Sequence, residues 1–410
     1  MEFRDYQKRI IKEGSSILRN KGMLYLSMEV RTGKTLTSLG IADDCEHKCV
    51  LFITKKKAIS SIEDDYKLLN PSFEMYTINY ESLHKIPDKK YDLIILDEAH
   101  SMAKYPKPSN RALRVKSIME KYKPNAILLS GTPTPESFSQ MYHQVYSIPK
   151  NPFRGYSNFY KFSKDYVNVT KRMIAGNMVN DYSKGKDSII EEMKPYTISY
   201  TQKQAGFTSK IEEKILNVRM SDQTYDLAKK LIKYLVIEGK EEVVLADTAV
   251  KLKQKLHQIF SGTVKFESGN SMVIDTSKAD FIKKNFEGSR IGIFYKFKEE
   301  LNVLRQVFGA ENLTTELDVF NETDCQAIAL QIVSGREGIS LRQADYLVFY
   351  NIDFSATSYW QARDRMTTKD RLKNKVYWIF SEGGIEEKIY KQVIKKKDYT
   401  LRHFKKDYEK

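Results

Sequence analysis

Short apolar runs bounded by polar or turn residues recur along the chain. They are CVLFIT (49–54), YDLIILDEAH (91–100), AILLSGTP (126–133), RIGIFY (290–295), CQAIALQIV (325–333), DYLVFYN (345–351) and VYWIF (376–380). Their apolarity is continuous rather than alternating, which predicts strands buried on both faces, as in parallel sheets. Between them lie segments such as KEELNVLRQVF and IEEKIYKQVIKKK, whose apolar residues recur at helical spacing. Strands alternating with helices predict an α/β architecture. The strand-rich parts form two groups, near 20–150 and 265–385. The tyrosine- and lysine-rich stretch between them has a mostly helical pattern. The expected organisation is a first lobe over 1–150, a helical insertion and linker over 151–262, a second lobe over 263–390 and a basic tail over 391–410.

Composition fits two lobes with substantial cores: the chain has 410 residues, 41% of them hydrophobic. A formal charge of +15, from 68 Lys and Arg against 53 Asp and Glu, suits a folded protein that meets a polyanion. The nine basic and three acidic residues between Lys388 and Lys410 read either as an auxiliary DNA-contacting helix or as a solvated face. The aromatics Phe153, Tyr156, Phe159, Tyr160, Phe162 and Tyr166 suit a small hydrophobic core, with stacking on unpaired bases as the alternative. Three cysteines, Cys45, Cys49 and Cys325, are too few and too scattered for a disulfide framework, and they point to a reducing compartment. Cys45, His47 and Cys49 lack a second ligand pair at metal spacing, so no zinc site is expected. The start MEFRDYQKRI has no apolar signal core, and no run approaches the roughly 20 apolar residues of a membrane span. The expectation is a cytoplasmic protein without a membrane partner.

Chemistry enters at SMEVRTGKT (27–35). A predicted strand, GMLYLSMEV, feeds a turn that opens the helix LTSLGIADD, and that geometry aims backbone N–H groups and the helix dipole at a phosphate. Arg31 and Thr32 lie in the turn, and Gly33 permits close backbone approach. Lys34 suits the β and γ phosphates, and the Thr35 hydroxyl suits Mg2+. Met28 stands where a G-x-x-x-x-G-K-[ST] loop has its first glycine. Sixty-two residues beyond Thr35, LIILDEAH places Asp97 and Glu98 at the C-terminal end of a buried strand, the edge at which open parallel sheets bind ligands. Asp97 suits a Mg2+ ligand and Glu98 the base that orients and deprotonates the attacking water.

Together these pieces resemble the superfamily-two helicases, and within them the Swi/Snf-like double-stranded DNA translocases, including compact versions carried by phages. The resemblance runs from about Phe3 to Lys397. It implies two RecA-like parallel-sheet lobes in tandem, ATP and Mg2+ as cofactors, and duplex, forked or branched DNA as partner. FRDYQKRI resembles the adenine-reading segment, with Gln7 as the adenine contact beside Tyr6 and Arg4. VLFITKKKAI and INYESL resemble DNA-tracking motifs, which implies DNA contacts for Thr54, Lys55, Lys56, Lys57 and Tyr80. LLSGTPTPES resembles the motif that couples hydrolysis to lobe movement, which implies that role for Ser130 and Thr132, with His100 of DEAH. In the second group, QIVSGREGISLRQADYLVFYN resembles the motif that senses nucleotide and DNA. It implies DNA contacts for Ser334, Gly335 and Arg336 and a nucleotide contact for Gly338. SYWQARDRMTTKDR resembles the last motif, with Gln361 coupling and Arg365 as the arginine finger. The family commonly writes its phosphate loop without the first glycine, which absorbs Met28.

Two positions depart from the family pattern. Thr368 replaces a second arginine three residues after Arg365, and Ser340 replaces a more usual asparagine. Three functions stay open on the sequence. One is an ATP-dependent helicase that unwinds or remodels forked DNA in replication, recombination or repair, with proteins of those processes as further partners. Another is a duplex translocase that displaces bound proteins without separating strands. The third, from a different class, is an ATP-switched nucleic-acid-binding protein with little turnover.

Overall fold

The computed structural model describes residues 2–135, 137–174, 177–206, 210–239, 242–332, 341, 343–355, 359 and 373–395. The chain divides into two compact units, Met1–Phe207 and Thr208–Lys410.

In the first unit the strands are β1 (Met23–Met28), β2 (Cys49–Thr54), β3 (Glu74–Asn79), β4 (Leu93–Leu96), β5 (Asn125–Leu129), a separate hairpin of β6 (Thr170–Ile174) and β7 (Asn177–Asp181), and β8 (Thr197–Tyr200). Six of them form one sheet in the order β3-β2-β4-β5-β1-β8, with every pair parallel. Successive residues of each run enter different cores. Met23, Tyr25, Leu51, Ile53, Ile94, Leu96, Ala126 and Leu128 belong to one cluster, and Leu24, Leu26, Val50, Phe52, Leu93, Ile95, Ile127 and Leu129 to another. Apolar residues at every position are therefore required, because side chains alternate between two covered faces. Helices α1 (Asp5–Lys21), α2 (Lys34–Asp44) and α3 (Ile59–Leu69) cover one face, and α4 (Asn110–Tyr122), α5 (Met141–Val145), α6 (Phe159–Tyr166) and α7 (Ser188–Met193) cover the other.

The second unit repeats this plan with different connections. Its strands are β9 (Lys210–Val218), β10 (Val236–Glu238), β11 (Val243–Leu245), β12 (Thr263–Lys265), β13 (Ser271–Val273), β14 (Ile291–Tyr295), β15 (Leu313–Thr314), β16 (Ala327–Gln331), β17 (Tyr346–Phe349) and β18 (Lys373–Ser381). The main sheet, again wholly parallel, has the order β15-β16-β14-β17-β18-β9. Phe294, Ile328, Leu347, Phe349, Val376 and Trp378 enter one core with α8 (Asp222–Tyr234) and α9 (Ala249–Phe260). Ile291, Ile293, Ala327, Ala329, Val348 and Ile379 enter the other with α10 (Ser277–Asn285) and α11 (Lys298–Phe308).

The stretch 151–262, expected as a helical insertion and linker, is divided between the two units. It supplies β8 to the first sheet and β9 to the second, and the division falls within it at Phe207/Thr208. In β9, Ile211, Ile215 and Val218 are spaced by four and three residues, which mimics a helix stripe. As an edge strand it has one paired neighbour, β18, and Ile215 stays exposed. The aromatics of 153–166 resolve as core: Phe153, Phe159 and Phe162 are buried among tyrosines, and only Tyr160 of the six is exposed. Of the tail, residues 396–410 lie outside the described residues.

Candidate active site

The C-terminal edge of the first sheet gathers most of the expected site. At the end of β1 the chain turns through 29–33 into α2. Gly33 caps that helix in the left-handed region (φ 78°), where a side chain is disfavoured. A Cβ there would also sit 2.6 Å from Gln7 Nε2. Arg31 shares the left-handed conformation (φ 62°), so this loop holds backbone strain of the kind that collects at ligand-binding turns. Thr32 is buried, and its hydroxyl donates to the Glu29 carbonyl at 2.7 Å. Lys34 Nζ reaches the same carbonyl at 3.4 Å. Thr35 follows in the first turn of α2 and is half-buried.

Gln7 approaches this loop because α1 packs closely on α2. Gly40 makes that packing possible, since a Cβ there would meet Ile11 Cδ1 at 2.6 Å. Gln7 is buried, accepts from the Arg4 N–H at 3.1 Å and donates to Thr37 Oγ1 at 3.3 Å. Tyr6 stacks on Tyr200 with ring centroids 4.8 Å apart and donates to the Thr32 carbonyl at 3.0 Å.

Asp97 extends the ladder one residue beyond β4, its N–H donating to the Ile53 carbonyl at 2.8 Å. Its carboxylate accepts from the Thr54 hydroxyl at 2.7 Å. Burial, and then the charge of Glu98, push its pKa up to about 6, against the opposing influence of the Thr54 hydrogen bond and the Lys34 charge. Glu98 is itself left-handed (φ 48°), and its carboxylate lies 3.2 Å from His100 Nδ1. That nitrogen also lies 3.0 Å from Ser130 Oγ, which in turn accepts from the Thr132 N–H at 3.1 Å. Ser130 is registered by its own N–H donating to the Leu26 carbonyl at 3.2 Å. A continuous polar line thus joins the DEAH and SGT stretches. Gly131 closes it onto the phosphate loop: a Cβ at that position would lie 3.5 Å from Lys34 Nζ.

Thr54 and Tyr80, expected at a DNA surface, are both fully buried. Thr54 faces the Asp97 carboxylate, and the Tyr80 hydroxyl donates to the Asp97 carbonyl at 2.7 Å. Burial raises the Tyr80 pKa, and the Asp97 charge adds to it. Both residues position Asp97 from beneath, so neither presents a side chain to a nucleic acid. Lys55 is half-buried and Lys56 is exposed. Ser334, Gly335, Arg336, Gly338, Ser340, Gln361, Arg365 and Thr368 lie outside the described residues.

Several participants escaped the motif reading. The Gln202 N–H donates to the Glu29 carboxylate at 2.7 Å, its side-chain amide donates to the Val30 carbonyl at 3.0 Å, and the Glu29 N–H donates to the Tyr200 carbonyl at 2.9 Å. The phosphate loop is therefore backed by the residues just beyond β8. Beneath the SGTP turn, Gln144 donates to the Pro133 carbonyl at 2.7 Å and accepts from the Tyr25 hydroxyl at 2.7 Å. Only Tyr25 left a signal: a hydroxyl inside an apolar strand needs a buried partner.

The arrangement offers a helix N-terminus and an ammonium group for phosphates. For a cation it offers the Asp97 carboxylate with the Thr35 hydroxyl nearby in sequence to the loop lysine. An all-oxygen set with few protein ligands suits Mg2+, which retains waters and takes its remaining oxygens from phosphate.

A family model described as the SNF2-related domain matches residues 26–276. The chain is 22% identical to the ISWI chromatin-remodeling complex ATPase ISW1 of Saccharomyces cerevisiae, over 80% of its own length and 31% of that protein. It is 22% identical to a probable chromatin-remodeling complex ATPase chain of Oryza sativa subsp. japonica, over 79% and 30% respectively. The chain thus spans about a third of the length of these relatives. The Sulfolobus solfataricus SWI2/SNF2 ATPase core in complex with dsDNA aligns over 96% of this chain and 91% of that one, at 14% identity and a TM-score of 0.43.

Proposed function

The chain belongs to the SNF2-related domain family, and from that premise we propose that it is a DNA-dependent ATP hydrolase that translocates on DNA and remodels or unwinds forked and branched DNA. The observation that carries this reading is the polar line from Glu98 through His100 to Ser130 and Thr132, set beside Lys34. Nucleotide hydrolysis alone does not need the sheet's next strand wired to the acidic pair, whereas a motor must convert the state of its phosphates into backbone movement.

In this reading Lys34 holds the β and γ phosphates, and Thr35 and Asp97 hold Mg2+, which neutralises charge on the transferring phosphoryl group. Glu98 orients and deprotonates the attacking water. Arg365 is the proposed arginine finger, and Lys55 and Lys56 grip the DNA backbone without reading sequence. The relatives' names, which describe chromatin-remodelling ATPases, support ATP-driven work on DNA, and the basic chain (+15) supports a polyanionic track.

The test is ATPase measured without DNA and with blunt duplex, fork, Holliday junction or single strand, alongside strand displacement on the fork. Stimulation of at least tenfold by duplex-containing DNA is expected. An ATPase indifferent to every DNA would overturn the proposal. Stimulation without strand displacement would reduce it to a duplex translocase.

A further inference from the structure

Beyond β8 the chain makes a tight turn at 201–206 before it passes into the second unit at Phe207/Thr208. The turn holds itself together. The Thr201 N–H and hydroxyl both donate to the Gln204 side-chain carbonyl, at 2.8 and 3.0 Å, and the Ala205 N–H donates to the Thr201 carbonyl at 3.1 Å. The Tyr200 hydroxyl donates to the Gln204 carbonyl at 2.9 Å, and Ala205 is buried in the same core as Tyr200. Three bonds tie this turn and the end of β8 to the phosphate loop. The Glu29 N–H donates to the Tyr200 carbonyl at 2.9 Å, which carries the β1–β8 ladder one step past Met28↔Tyr200. Gln202 makes the other two, from its N–H to the Glu29 carboxylate at 2.7 Å and from its side-chain amide to the Val30 carbonyl at 3.0 Å.

These bonds fix Glu29 and Val30, the two residues ahead of the left-handed Arg31 (φ 62°). The other flank is fixed by Gly33 at the cap of α2 and by the Tyr6 hydroxyl, which donates to the Thr32 carbonyl at 3.0 Å. A non-glycine residue stays left-handed only where its surroundings over-determine it. Release of the Gln202 flank would let Arg31 relax and turn the loop's N–H groups away from a phosphate. Lys34 is held more lightly. Its Nζ lies 3.4 Å from the Glu29 carbonyl, and that carbonyl keeps the Thr32 hydroxyl at 2.7 Å when phosphates draw the lysine away. Glu29 therefore meets the movable cation through its carbonyl and the 200–202 stretch through its N–H and carboxylate. Nucleotide entry acts on the same residue that grips the turn.

We propose that Gln202 is a positioning residue for ATP. Through Glu29 and Val30 it sets the 31–33 turn for the β and γ phosphates, and by the same bonds it passes the state of the loop to the stretch from which the chain enters the second unit. The proposal rests on the reading of this loop as the phosphate site. It adds the residue that holds the loop in shape and the route by which its occupancy is relayed.

The experiment compares the wild-type chain with Gln202→Met, which keeps the length of the side chain and removes its donor, and Gln202→Lys, which restores a donor. ATPase is measured at saturating duplex DNA, and hydrogen exchange of the backbone amides of 200–206 is followed with and without Mg2+ and ATPγS. Gln202→Met should raise KM for ATP at least fivefold with kcat within threefold of wild type, as expected when an interaction that serves bound and transition states alike is lost. Gln202→Lys should bring KM back to within twofold. In wild type, ATPγS should slow exchange at 200–206 at least threefold, and in Gln202→Met a saturating concentration should leave it unchanged. The proposal is overturned by a wild-type KM in Gln202→Met, by a Gln202→Lys protein that behaves like Gln202→Met, or by wild-type exchange indifferent to nucleotide. It is also overturned if the unfolding midpoint of Gln202→Met drops together with kcat, which would make the contact structural. Equal affinity of wild type and Lys34→Ala for ATPγS would instead remove the reading of this loop as the phosphate site.

Discussion

The third strand of each main sheet ends at the edge where parallel sheets bind ligands, and the two ends are built differently. In the first unit that strand, β4, delivers Asp97 and Glu98, and the neighbouring β5 delivers Ser130. In the second, β14 delivers Lys296, and its neighbour β17 delivers Tyr350 and Asn351. Lys296 is paired with Asp353 and lies 4.7 Å from the centre of the Phe354 ring. Asn351 bridges His257 and Glu300, at 2.5 Å from each, and Glu300 also accepts the N–H groups of Lys296 and Phe297. Deeper still, Lys278 and Glu386 form an ion pair with neither side chain exposed. Burial raises the Glu300 pKa and lowers that of His257, where the Lys296 charge acts in the same direction. One topology thus serves two ends. Among the described residues, Lys34, Thr35, Asp97, Glu98 and His100 at the first unit's edge are half-buried beside a strained loop, whereas Lys296, Asp353, Glu300 and Asn351 of the second pair with neighbouring groups, leaving His257 Nδ1 and Glu386 Oε2 buried without a hydrogen-bond partner. The first arrangement keeps affinity in reserve for a ligand, and the second spends it on the fold.

The comparison breaks most readily at Lys34. Lys34→Ala should abolish measurable ATPase, a loss of at least about 10²–10³-fold for a group that stabilises transferring charge. The thermal unfolding midpoint should stay near wild type, because among the described residues the hydrogen bonding of Lys34 is a single 3.4 Å contact to the Glu29 carbonyl, and its charge acts on an Asp97 that is already destabilised by burial. ATPase persisting at the wild-type rate would remove the first edge from the chemistry. The mirror-image test is Lys278→Met, which leaves Glu386 charged and buried. It should cost about 3–5 kcal/mol in denaturant unfolding, and adding Glu386→Leu should recover most of that. A Lys278→Met protein as stable as wild type would show that the buried pair contributes nothing to the second unit.

The same contrast explains what could be read from the sequence. Strands such as LIIL and IGIFY were legible because both faces of each sheet are covered, so every residue of the run is apolar. Strands β8 and β9 were not, since each lies at a sheet edge and β9 imitates a helical stripe. The positions of Asp97, Glu98 and Ser130 were legible because local spacing places them at strand ends, and that of Lys34 because a glycine turn opens its helix. The roles of Thr54 and Tyr80 were misjudged because residue type does not reveal whether a hydroxyl turns outward or under its neighbour. The backing of the loop by Gln202 joins positions 173 residues apart. Tyr25 and Gln144 are separated by 119. Such pairs leave no local pattern, and only the packed sheet brings them together.

The smallest expected effect concerns how the first edge stays ready for a cation. With its pKa raised to about 6 by burial and by Glu98, Asp97 is a carboxylate at pH 7.5 and largely protonated at pH 5. A raised carboxyl favours the folded state most below its unfolded value near 3.9. That contribution is lost as pH rises through 6, so the apo protein gives up stability to keep the carboxylate ionised. Mg2+ competes with the proton, so Mg2+-dependent ATP affinity should fall as pH drops through about 6, approaching tenfold per unit below it. The Thr54 hydroxyl opposes protonation through its 2.7 Å hydrogen bond. Thr54→Val should therefore move the acid limb of kcat/KM for ATP to higher pH and leave the rate at pH 8 within about threefold. An acid limb that stays in place in Thr54→Val would mean that another group controls it, and the readiness of this edge would then have to come from Glu98 and His100.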